Sequence, residues 1–186
     1  MVDAESSTVC VYCASSARCA PEYYAAAARL GRLLAEDGWS IVYGGSRIGS
    51  MGALADGALA AGGRVIGVLP ELLRRLEIAH ERLTQLHIVE DMRTRKAQML
   101  AMSRAVVALP GGLGTFEELL EALTLKKLGA YSGPIVIVNT RGYFAPLFSM
   151  LESSIAEAFL DESHRALWRI VETPDDARDV LRDACD

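Results

Sequence analysis

The chain has 186 residues, about the length of one domain, since single cores usually run from roughly 100 to 200 residues. Apolar residues make up 51% and charged residues 23%, proportions that exclude disorder and fibrous architectures and leave enough material for a sizeable core. A net charge of −5 speaks against a nucleic-acid binder held by overall positive charge, while a local cationic pocket stays open. No window approaches the roughly 18 uninterrupted apolar residues of a membrane helix, and the start MVDAESSTVC lacks the basic and apolar stretches of a signal peptide. The expectation is a cytoplasmic protein with a small-molecule partner, and neither a membrane nor a nucleic acid.

In chain order, apolar β-rich runs alternate with amphipathic helical stretches. Residues 8–15 read as a first strand and 21–36 as a helix, with Pro21 suited to its first turn and Gly38 just beyond its end. Residues 40–43 form a short strand, followed by the loop GGSRIGSMG (44–52) and an alanine-rich helix from Met51 to Gly62 and Gly63. Residues 64–69 give a third strand, 70–86 a charged connection with a short helix, 87–89 a weak fourth strand and 91–104 a helix. The wholly apolar strand 105–109 leads through the turn PGGLGT (110–115) into a helix over 116–128. Residues 134–138 make a sixth strand, 145–159 a helix, 168–172 a short last strand and 175–184 a terminal helix. Runs such as AVVAL and PIVIV are apolar without alternation, as strands buried on both faces of a parallel sheet must be. The fold class is therefore α/β: one domain over 1–186, with a doubly wound parallel sheet between two helical layers.

Cysteines at 10, 13, 19 and 185 do not form a disulfide framework in a chain of this length without a secretion signal. Cys10 and Cys13 have the spacing of a zinc or redox pair, but residues three apart on a strand point to opposite faces and would not converge on one metal. A buried structural role is expected. His80, His87 and His164 are scattered without helical ligand spacing, which gives a histidine metal centre or a Ser-His-Asp triad little support. No metal and no cofactor are expected.

Ligands of such folds bind outside the carboxyl ends of the strands. Two loops there are rich in glycine. PGGLGTFEE opens a helix after the fifth strand, where close backbone approach, free N–H groups and the helix dipole attract an anion such as phosphate. It is neither a Walker A loop nor a G-x-G-x-x-G fingerprint, since Glu117 stands at the third glycine. The alternative is that the glycines merely shape the turn while Thr115 and Glu118 form a capping box. The loop 44–52 carries the same two readings more weakly. In DMRTRKAQM, Arg93, Arg95 and Lys96 fall in the first turn or so of a helix, where cations oppose the dipole by a few tenths of a kcal/mol each unless an anion lies nearby. A plain solvated basic face is the other reading. A phosphate cradle, a carboxylate and a cationic patch without metal ligands suit cleavage of a glycosidic bond in a phosphorylated nucleoside, because a carboxylate can stabilise the oxocarbenium-like sugar while water is activated.

PGGLGTFEE matches the signature PGGxGTxxE. With VYCASS, VYGGSRIGSMG, RVIGVLP and the Arg95 and Lys96 pair in order, residues 8 to 150 resemble the LONELY GUY family of cytokinin riboside 5′-monophosphate phosphoribohydrolases. Members often carry the label lysine decarboxylase, which nothing here supports: the chain has only Lys96, Lys126 and Lys127 and no recognisable pyridoxal-phosphate site. The resemblance implies a Rossmann-like homodimer that hydrolyses the N-glycosidic bond of N6-modified adenosine monophosphate, or AMP, to free base and ribose 5-phosphate. It implies that Gly112, Gly114 and Thr115 hold the phosphate, that Glu118 is the catalytic carboxylate and that Arg95 is its cationic partner. Glu77, Lys96, Glu117 and Thr124 would contact the nucleotide, with Gly111, Leu113 and Phe116 completing the loop.

Five positions depart from the family pattern: Ser46 and Ser50 in GGGxxGLMG, Arg93 and Thr94 in MHERK, and Leu125 in place of a frequent tryptophan. They bear on base preference. Two other functions stay open: a broader purine or pyrimidine 5′-nucleotide nucleosidase using the same residues, and a non-catalytic nucleotide or cofactor carrier that keeps the cradle without needing Glu118.

Overall fold

The computed structural model describes residues 7–74 and 79–184. Seven strands form one sheet: β1 (Thr8–Tyr12), β2 (Ser40–Tyr43), β3 (Val65–Pro70), β4 (Gln85–Val89), β5 (Ala105–Ala108), β6 (Ile135–Val138) and β7 (Arg169–Val171). Their order is β4-β3-β2-β1-β5-β6-β7, and every pairing is parallel. The doubly wound class expected from the unbroken apolar strands is the one observed.

Strand alternation sorts the core into two halves. Val9, Val11 and Cys13 face one side with α1 (Pro21–Glu36), α2 (Gly49–Ala60) and α7 (Pro174–Asp183). Cys10 and Tyr12 face the other with α4 (Met92–Ala101), α5 (Leu113–Lys127) and α6 (Ala145–Ala156). Cys10 and Cys13 thus point to opposite faces, as period-2 geometry demands, and both are buried free thiols. A short α3 (Glu71–Arg74) leaves β3 toward β4. Fully buried leucines such as Leu30, Leu34 and Leu54 each stabilise by roughly 1.5–3 kcal/mol. Exposed ion pairs such as Arg165 with Glu152 contribute about 0–1 kcal/mol, so burial and not surface charge holds the layers together. No described helix is long and apolar enough to cross a membrane.

Three boundaries differ from the sequence reading in ways that matter for the site. β1 ends at Tyr12, so Cys13 to Ser16 leave the sheet as a loop. α4 begins at Met92, with Asp91 as N-cap. α5 begins at Leu113, three residues earlier than expected.

Candidate functional site

The sheet order reverses between β1 and β5, which makes the crevice beyond their carboxyl ends the topological switch point. A cavity of about 310 Å³ lies there, at the lower end of the size of small-molecule sites. Its walls are Cys13, Ala14, Ser15 and Ser16 from the loop after β1, and Gly112, Gly114, Thr115 and Glu118 from the loop after β5 and the start of α5. Met51, Leu73, Met92 and Arg95 close it. A larger cavity of about 630 Å³ is bordered by Pro134, Ile135, Trp168 and Arg169, at the amino ends of β6 and β7, where this fold brings no pair of ligand loops together. The smaller cavity holds the buried charges, and it is the chemical one.

Glu118 and Arg95 are only 5% and 3% exposed, although both are charged residue types that are rarely buried without purpose. Arg95 is pinned from two sides. Its Nη2 donates to the Gly44 carbonyl oxygen at 3.1 Å, and Nη1 lies 3.7 Å from the Met92 sulfur. Its buried Nε makes no hydrogen bond to the protein. The Glu118 charge reaches the Cys13 thiol: burial first, then Glu118, pushes that thiol up, and Arg95 opposes them. A carboxylate and a guanidinium therefore line the same small volume.

The PGGLGT turn arrives in extended backbone at Gly112 (φ −95°, ψ −155°), which caps α5 with no side-chain hydrogen bond. This overturns the capping-box reading. Thr115 is the third helical residue instead of the cap, and it is buried so close to Gly111 that a Cβ there would stand 2.0 Å from its Oγ1. A Cβ built at Gly112 or Gly114 meets nothing within 4 Å, so the open side of these two glycines is free for a ligand. The first-turn N–H groups of a helix have no intrahelical acceptor, and the glycine N-cap supplies no side chain to accept from them. Helix starts of this kind are suited to an anion.

The basic cluster divides. Arg95 alone of the three enters the cavity; Arg93 is exposed. Lys96 pairs with Glu117 and, at 2.9 Å, with Glu121, linking α4 to α5 outside the cavity wall. Asp91 at the N-cap accepts from the Thr94 amide at 2.7 Å, a bond that holds its carboxyl below the usual range and supplies the negative charge this basic first turn needs. Thr124 donates to the Leu120 carbonyl oxygen, while Phe116 stacks on Tyr143 with ring centroids 6.3 Å apart. Leu113 is exposed, and Gly111 accepts from the Tyr143 hydroxyl. Glu77 lies outside the described residues, as does Cys185.

Of the departures from the family pattern, Ser46, Ser50, Arg93 and Leu125 all lie outside the cavity lining. Ser46 is instead a loop-shaping residue: its Oγ accepts from the Ile48 amide at 3.2 Å, and its carbonyl accepts from the Tyr43 hydroxyl. Sequence reasoning assigned no role to Ser15, Ser16, Leu73 or Met92, and touched Gly44 and Met51 only as part of the glycine-rich loop 44–52. The rule that ligands sit beyond strand ends at a switch point pointed at the first two; Leu73 and Met92 had no signal of their own. Among the described residues, no group of three or more His, Cys, Asp or Glu is placed to hold a metal ion.

A Rossmann-like α/β domain with a glycine-rich helix start, a buried carboxylate and a buried guanidinium at its switch point belongs to the nucleotide-handling class. The chain belongs to the LONELY GUY family: the family model described as "Possible lysine decarboxylase" matches residues 51–181. The cytokinin riboside 5′-monophosphate phosphoribohydrolase of Rhodococcoides fascians is 42% identical over 160 residues, covering 86% of this chain and 81% of that protein. A probable enzyme of the same name from Oryza sativa subsp. japonica is 40% identical over 174 residues, covering 94% and 77%. Among solved structures, the molybdenum cofactor carrier protein of Chlamydomonas reinhardtii superposes with a TM-score of 0.76 over 97% of this chain and 99% of its own, at 23% identity. That likeness is one of fold. The decarboxylase wording finds no counterpart in the site: Lys96 is tied to two carboxylates, Lys126 donates to the Gly133 carbonyl oxygen, and neither these nor the exposed Lys127 lines the cavity.

Proposed function

We propose that this protein hydrolyses the N-glycosidic bond of a nucleoside 5′-monophosphate, N6-modified adenosine monophosphate or AMP, releasing the free base and ribose 5-phosphate. The observation that carries the reading is the burial of Glu118 and Arg95 in one cavity beside the glycine-capped start of α5. The first-turn amides around Gly112, Gly114 and Thr115 take the phosphate. This anchors the ribose with C1′ toward Glu118. The C1′–N bond breaks with its electron pair on the base nitrogen, which takes a proton from solvent. The Glu118 carboxylate stabilises the oxocarbenium-like sugar and accepts a proton from the attacking water, whose oxygen bonds to C1′. Arg95, fixed by the Gly44 carbonyl, places a positive charge in the same cavity as that carboxylate. The thioethers of Met51 and Met92 and the Leu73 side chain form the apolar wall suited to the base.

Lys96, Glu117, Thr124 and Glu77 are assigned to nucleotide contact by the resemblance alone. We further propose a cytoplasmic homodimer without a nucleic-acid partner. α2 packs against α1 and exposes Asp56 and Ala60 but no large apolar side chain, whereas α5 and its C-cap leave Leu113, Leu120 and Leu128 exposed, an apolar stripe that a second copy would cover.

The test is chromatographic detection of free base after incubation without added metal with AMP, isopentenyladenosine monophosphate, CMP or unphosphorylated adenosine. Release from phosphorylated purines alone supports the phosphoribohydrolase, and their relative rates rank the bases. Comparable release from CMP makes it a broader nucleosidase. No release from any of them sinks the hydrolase and favours a carrier.

A further inference from the structure

The Thr140–Gly142 turn after β6 delivers Tyr143 to the loop between β5 and α5. Tyr143 grips that loop at both ends. Its hydroxyl donates to the Gly111 carbonyl oxygen, and its ring lies nearly parallel to Phe116, in the second turn of α5, at 15° and 6.3 Å. The ring is held in turn by edge contacts with Tyr23 and Phe144, at 5.9 and 5.2 Å. The next residue is tied down as well: the Phe144 amide donates to Asn139 Oδ1 at 2.8 Å, and the Asn139 amide donates to the Val171 carbonyl oxygen of β7 at 2.7 Å. Arg141 pairs with Glu22 and stacks over Tyr23, which fixes the turn to the start of α1. Tyr143 is thus a rigid post built on three elements.

The bond it makes has a directional consequence. In a planar trans peptide the C=O and the following N–H point opposite ways, and the described chain has no cis peptide. Holding the Gly111 carbonyl toward Tyr143 turns the Gly112 N–H away from it, on the residue that lines the cavity and has open space on its Cβ side. Gly112 has little steric preference of its own, so without this bond its peptide plane is free to rotate. We propose that Tyr143 is a positioning residue of the phosphate cradle, its hydroxyl orienting the Gly111–Gly112 peptide so that the Gly112 amide meets the 5′-phosphate. This rests on the reading of residues 110–115 as that cradle. Burial and the neighbouring Tyr23 raise the phenol further above its ordinary value, so the donor stays protonated across the physiological range.

Tyr143→Phe removes the hydroxyl and keeps the stacked ring. Calorimetric titration of both proteins with ribose 5-phosphate reads the cradle whether or not turnover occurs, and titration with adenosine reads the remainder of the cavity. The expected result is a roughly three- to tenfold weaker affinity for ribose 5-phosphate, with adenosine affinity and melting temperature unchanged. In turnover the same factor is expected in KM for the monophosphate and not in kcat. Unchanged ribose 5-phosphate affinity, or an equal loss for both ligands, overturns the proposal. Wild-type protein that fails to bind ribose 5-phosphate overturns the cradle and this inference together. Wild-type protein that binds it but releases no base sinks the hydrolase alone, leaving Tyr143 its role.

Discussion

The Nη2 of Arg95 reaches through the loop after β2 to the Gly44 carbonyl oxygen, 51 residues earlier in the chain, at 3.1 Å. The contact is possible because Gly44 has no side chain: a Cβ there would stand 1.9 Å from that same nitrogen. Gly44 and Arg95 form one unit in which a backbone position sets the place of a buried charge.

Gly44→Ala is therefore expected to displace the guanidinium without touching substrate. An ångström of misplacement at a reacting centre costs on the order of 10²-fold in rate, so kcat/KM should fall by about that factor while the protein remains folded by circular dichroism. Near-normal kinetics would show that Arg95 tolerates movement and does not orient Glu118.

Glu118→Gln keeps the volume of a buried side chain and removes its negative charge. Turnover should drop by roughly 10²- to 10⁴-fold, the range of a lost general acid or base, with binding of the monophosphate retained in calorimetry. Wild-type rates in this variant would remove Glu118 from the mechanism.

Burial pushes the Cys10 and Cys13 thiols well above their ordinary range, and Glu118 pushes them further. Only thiolate reacts with alkylating reagents. At neutral pH iodoacetamide should modify the partly exposed Cys19 and leave Cys10 and Cys13 unmodified until the protein is denatured, as peptide mass spectrometry would read. Rapid native modification of Cys13 would mean that the cavity opens far more than its 2% exposure implies.

α7 is clamped to α1 by a bidentate pair, Asp175 Oδ1 and Oδ2 with Arg29 at 2.7 and 3.2 Å. The hydrogen bonds from Arg29 hold the Asp175 carboxyl below its ordinary value. A depressed carboxylate stabilises the fold fully above its unfolded pKa of about 3.9 and loses that contribution as the pH falls through the lower, folded value. Asp175→Asn should lower the melting temperature by at most a few degrees at pH 7, the pair being exposed, and the gap to wild type should close in acid. A gap that widens toward low pH would refute the assignment.

The sequence by itself determined the layered α/β class, because strands buried on both faces must be apolar without alternation, and β5 and β6 are. It also pointed to the segment from which Gly112, Gly114, Thr115 and Glu118 line one cavity, since glycines, a helix start and a carboxylate nine residues or fewer apart are local properties. Tertiary structure decided what each neighbour does. Successive helical residues point about 100° apart, so Arg95 turns into the cavity while Lys96 turns out to Glu117 and Glu121, a division that the bare Arg-Lys pair does not reveal. The T-x-x-E spacing suggested a capping box, but the extended backbone at Gly112 starts α5 three residues earlier and places Thr115 and Glu118 within the helix, where they face the cavity. Gly44 beneath Arg95 and Tyr143 beneath Gly111 were invisible for the same reason: each acts through a contact between residues 51 and 32 positions apart, and only the closed sheet brings such partners together.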